Sequence, residues 1–96
     1  MGDDPAERLL ELYYEEAAVE GPAVVGFVER AVAGRYGPVE APVLVTFLDR
    51  LEVILAGNIE TRLEEAPGQE RAADEALEQV REELGRARQL VAESGV

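Results

Sequence analysis

The stretch that most limits how this chain can fold is "APVLVTFLDRLEVIL", residues 41–55. Its first half is apolar enough for a buried strand, and a short apolar run does not by itself separate strand from helix. Two features decide for helix. Leu44, Phe47, Leu48, Leu51, Ile54 and Leu55 recur at the spacing of one helix face, with Asp49, Glu52 and Ala56 turned away. No second segment reads as a strand to pair with it. A helix over about 42–65 therefore dominates the core, at ~1.5–3 kcal/mol for each large side chain fully buried.

Three further segments carry the same period. Over about 4–19, Asp4 stands as a cap, Pro5 as the first helical residue and Glu7 three after the cap, which is a capping-box arrangement. Ala6, Leu9, Leu10, Tyr13 and Ala17 then mark an apolar face, and "EGP" at 20–22 ends the segment. The next helix spans about 22–36, with Val24, Phe27, Val28, Ala31 and Val32 on one face. Its expected stop is Gly37, ahead of Pro38. The last runs over about 69–93, after the turn "APG". Its apolar or small residues Ala73, Leu77, Val80, Leu84, Ala87, Val91 and Ser94 alternate spacings of four and three, a heptad seam.

Four amphipathic helices in one short chain give an all-α fold. The expected architecture is an antiparallel four-helix bundle, with homodimerisation as a way of completing it. The seam fits a bundle interior, and it also fits a parallel two-stranded contact in which Glu83 of one copy meets Arg88 of the other. A dimer is the expected oligomer, because four short helices hold more apolar positions than one small core needs.

Within the third helix the pattern falters at "LAGNIETRLEE", where Asn58 and Arg62 land in the middle of the apolar stripe. Two arrangements accommodate them. The helix ends at Gly57 and Asn58 caps a new one, or it runs on and its last turns project beyond the core as a polar end facing solvent or a partner. A break at Gly57–Asn58 is the favoured expectation, because glycine costs ~1 kcal/mol inside a helix.

Charge distribution narrows the function. The net charge is −12, and all nine basic residues are arginine. Residues 1–20 hold seven acids and one arginine (−6), residues 24–63 five and four (−1), and residues 64–93 nine and four (−5). Such a field disfavours direct contact with nucleic acid or anionic membrane. The longest nearly apolar run falls far short of the ~20 residues that span a bilayer, and the acidic N-terminus is unlike a secretory signal, so a cytoplasmic protein is expected.

Catalytic chemistry has little to work with. There is no histidine, cysteine or lysine, which removes imidazole bases, thiol nucleophiles, Schiff-base amines and nitrogen- or sulfur-ligated metals. The one serine, Ser94, is in the C-terminal tail, and the Asp-Ser-Leu context that carries a prosthetic arm in acyl carrier proteins does not occur. Glu75 and Glu78 form the only Glu-x-x-Glu and no aspartate follows them, so the carboxylate set of an all-α magnesium-dependent hydrolase is incomplete. No cofactor is implied.

The expectation is a non-enzymatic protein–protein interaction module, acting through its helix faces on a partner the sequence does not identify. The alternative is an acidic inhibitor or nucleic-acid mimic that occupies a basic site on another protein, and a carboxylate-only magnesium hydrolase is the remote one. Candidate partner-binding residues are Asn58 and Arg62, the Glu83 and Arg88 pair, and Tyr14. The last adjoins Tyr13 about 100° round the helix, at the edge of the apolar face.

Overall fold

The computed structural model describes residues 4–20 and 23–94. It is all-α: α1 is Pro5–Glu20, α2 Val24–Val32, α3 Ala41–Glu65 and α4 Glu70–Ser94. No helix among the described residues is long and apolar enough to cross a membrane. α3 and α4 pack along each other, α1 lies on α3, and α2 lies on α4, so the bundle has a long pair and a short pair.

Local sequence explains several of the helix boundaries. The Oδ1 of Asp4 accepts the Ala6 N–H at 3.0 Å, which satisfies one of the free donors at the start of α1. α3 starts at Ala41 with Pro42 in its first turn, where a missing N–H does no harm. The expected start of the second helix at Pro22 lies outside the described residues.

α2 stops four residues before its expected end. Ala33 caps it, and Gly34 takes the left-handed conformation at φ 86°. The Gly34 N–H then bonds the Ala31 carbonyl and the Arg35 N–H bonds the Arg30 carbonyl, each at 3.1 Å. That pair of bonds is the Schellman closure, which needs a residue free of Cβ strain at the position after the cap. Gly34 and Gly37 both offered it, and the nearer glycine ends the helix. Gly37, at φ 93°, shapes the turn that follows.

The break expected at Gly57–Asn58 does not occur. α3 runs through both residues to Glu65, and the Thr61 hydroxyl bonds the Gly57 carbonyl one turn back at 2.9 Å. Helix propagation adds one hydrogen bond per residue, and α4 packs alongside, so a glycine penalty of ~1 kcal/mol is outweighed.

The core gathers at the end of the long pair that the short helices cover. Leu9, Leu10 and Tyr13 meet Val24, Phe27 and Val28, over Leu44, Phe47, Leu48 and Leu51 of α3 and Leu84, Ala87 and Val91 of α4. Phe27 is its hub. Its ring lies 5.6 Å from Tyr13, 5.4 Å from Phe47 and 4.9 Å from Tyr36, the last in a stacked contact. The C-terminal half of the heptad seam is thereby used inside the chain, whereas Ala73, Leu77 and Val80 of its first half are only half-buried.

Candidate interaction site

Helix length decides what the short pair leaves uncovered. At ~1.5 Å per residue, α3 and α4 each run about 37 Å, α1 about 24 Å and α2 about 14 Å. Between Ala56 and Glu83 not one described residue is fully buried. Ile59, Leu63, Ala73 and Ala76 are each partly exposed there.

Two adjoining clefts follow that uncovered face. The first, about 290 Å³, lies where the short pair ends and is lined by Tyr13 and Val24 as well as Leu55, Asn58, Ile59, Arg62, Ala76, Gln79, Val80 and Glu83. The second, about 260 Å³, continues outward between α3 and α4 and shares Ile59, Arg62 and Ala76 with the first. Ala72, Ala73 and Ala76 line the α4 side of the second cleft.

Three of the five candidate residues meet here. Asn58 and Arg62 sit on unbroken helix, exposed, at the mouth of the first cleft. Arg62 makes no ion pair or side-chain hydrogen bond among the described residues. Glu83 faces the same cleft, but its role is internal. Its Oε1 accepts the Val24 N–H at 2.8 Å, at the N-terminus of a helix whose own cap residue, Ala23, makes no side-chain cap bond. A carboxylate suits that place twice over, as acceptor for a free donor and as countercharge to the positive end of the helix dipole. Glu83 also raises the pKa of Tyr13, behind the larger effect of burial.

The other two candidates lie elsewhere. Arg88 binds Asp49 at 2.7 Å and Glu52 at 3.3 Å, tying α4 to α3. The expected Glu83–Arg88 contact between copies thus finds both residues engaged within one chain. Tyr14 is 46% exposed, with its ring edge-on to Tyr13 at 5.7 Å, and it does not line the clefts.

A second polar cluster lies outside the clefts. Arg30 bonds Glu16 at 3.0 Å and the Tyr36 hydroxyl at 3.1 Å, while that hydroxyl donates to the same Glu16 oxygen. The Tyr36 bond first, and then Arg30, hold the Glu16 carboxyl below its ordinary range, and burial followed by Glu16 pushes Tyr36 up. Every member is paired within the cluster, so it reads as a clamp joining α1, α2 and the turn between α2 and α3. Among the described residues no group of three or more carboxylates is placed to hold a metal ion.

Sequence reasoning missed Ile59, Ala76 and Gln79 as cleft residues. The run "AADEA" at 72–76 was the available signal for close approach, but small residues do not tell which side of a helix stays open. Compared with known proteins, the chain matches no family model, no curated protein and no solved structure.

Proposed function

We propose that this chain is a non-enzymatic protein–protein interaction module that docks a helix on the uncovered face of α3 and α4. The observation that carries the reading is the length mismatch, which leaves Leu55, Ile59, Leu63 and Ala76 partly exposed along one continuous pair of clefts. Apolar surface of that kind, rimmed by polar residues, is the usual mark of a docking site. A second copy completes the face in the dimer that the sequence reading expects; another protein makes the chain an adaptor or assembly subunit. Neither requires a catalytic group.

A photo-crosslinking residue placed at Ile59, in the cells that make the protein, tests this. Crosslinked species should form from Ile59 and not from Val53, which is 73% exposed on another side of α3. Equal yields from both positions, or none from either, would refute it.

The net charge of −12 favours a second reading, an acidic inhibitor or nucleic-acid mimic on a basic protein surface. That reading needs the carboxylates and not the clefts. Binding that survives Ile59→Gln and disappears with rising salt would select it.

A further inference from the structure

The uncovered face has a size, a floor and a charge, and together they restrict what occupies it. Building on the docking role proposed above, we infer that its occupant is a basic amphipathic helix of about thirteen residues from another protein, not a second copy of this chain.

Length comes first. α2 reaches along α4 from Val80 and Glu83, beside its capped N-terminus, towards Val91. Apart from Val80, which packs against the core at their inner end, residues 70–82 of α4 lack that cover, and at ~1.5 Å per residue they span about 20 Å. A helix of thirteen residues fills this gap and extends the short pair along the same side. Its apolar stripe would rest on Ile59, Leu63 and Ala76 at the close spacing that small residues permit.

Charge then separates the two kinds of helix. Residues 55–83 contain nine acids and three arginines, net −6. Glu65, Glu75 and Glu82 are exposed and lie three or four residues from cleft positions, so they border the clefts on the helix surface. Glu75 and Glu82 have arginine neighbours at i,i+4, but exposed pairs of that kind are weak and leave the local field negative. Two copies docked face to face would bring these acidic borders together at the 8–10 Å separation of packed helices. At that distance physiological salt, with a screening length of ~8 Å, leaves much of the repulsion in place. A lysine- or arginine-flanked helix converts the same field into attraction and faster encounter. Arg62 is the exception in this field. Among the described residues it has no ion-pair partner, and it and the neighbouring Asn58 both offer donors to the free carbonyls at the C-terminal end of a docked helix.

The test uses the full chain and two synthetic fourteen-residue lysine–leucine peptides of identical composition, one patterned for an amphipathic helix and one scrambled. By titration calorimetry the patterned peptide should bind one to one, and the scrambled peptide about tenfold or more weakly. Ile59→Gln on α3 and Ala76→Gln on α4 should each weaken the patterned peptide by about tenfold, with circular dichroism unchanged. Val53→Gln should leave its binding as it was. Equal affinity for the two peptides would mean that charge alone is recognised and would overturn the inference. Light scattering that shows a dimer dissociated by the same two cleft substitutions would also overturn it, while leaving the docking role intact. A monomer that binds neither peptide would overturn both.

Discussion

Gly57→Ala should make this protein more stable, and the size of the gain tests whether α3 is continuous in solution. Gly57 is exposed in the middle of a 25-residue helix, and a Cβ built on it meets nothing within 4 Å. Its φ is not in the left-handed region, in contrast to Gly34, Gly37 and Gly68. Alanine therefore adds no strain and no clash. It removes the conformational freedom that glycine gives the unfolded chain, and it improves helix propensity, for a gain of ~0.5–1 kcal/mol. In a domain of this size that corresponds to roughly 2–8 °C in melting temperature. Thermal and urea melts of the parent and the variant measure it, and amide exchange over residues 55–65 shows whether the gain falls where the helix was extended. Gly85→Ala, inside α4 with equally open space, should gain by the same mechanism. Gly37→Ala, at φ 93°, should lose stability because alanine is strained there. If Gly57→Ala destabilises while Gly85→Ala stabilises, α3 breaks at Gly57 and the long face that depends on its continuity does not form.

Three further outcomes follow from packing and charge. Leu51→Ala should lower stability by ~2–5 kcal/mol, because Leu51 is fully buried, whereas Leu55→Ala, half-buried at the cleft, should lose clearly less; equal losses in urea melts would refute the placement of the core edge. Glu83→Ala should lower stability by ~1 kcal/mol as a lost cap, and Glu83→Gln by less, since the amide still offers an acceptor to the Val24 N–H. If the alanine variant melts with the parent, that bond does not hold α2. The Glu16 and Asp4 carboxyls are both held below their ordinary range, Glu16 first by Tyr36 and Asp4 first by Arg50. Depressed carboxyls contribute stability that is present above their unfolded pKa and lost as pH falls through the folded one, so melting temperature should drop below about pH 4. Glu16→Gln and Asp4→Asn should each flatten that drop, and an unchanged acid limb in both would refute the assignment.

The sequence by itself determined the class of fold and most of its punctuation. Leu44 to Leu55 at helical spacing, with no strand to pair, left only helices, and Asp4-Pro5 marked the start of α1 because a cap and a ring-fixed φ act within a few residues. Those effects are local, so they can be read in one dimension. Where two local signals of the same kind compete, as Gly34 and Gly37 do, the sequence names the device but not its position. Asn58 and Arg62 were legible as misfits in an apolar stripe for the same reason. Their resolution was not legible, because it depends on α4 lying alongside and on the short helices ending before reaching them. Glu83 makes the point most clearly. From the heptad it is a surface charge awaiting a partner copy, yet in the fold it caps a helix 59 residues away in the chain. Only tertiary structure decides such a contact, since it requires two helix ends to meet that no short-range preference brings together. The uncovered face has the same origin: the helix lengths are written in the sequence, but which side of α3 and α4 they leave open is set by how the four helices pack.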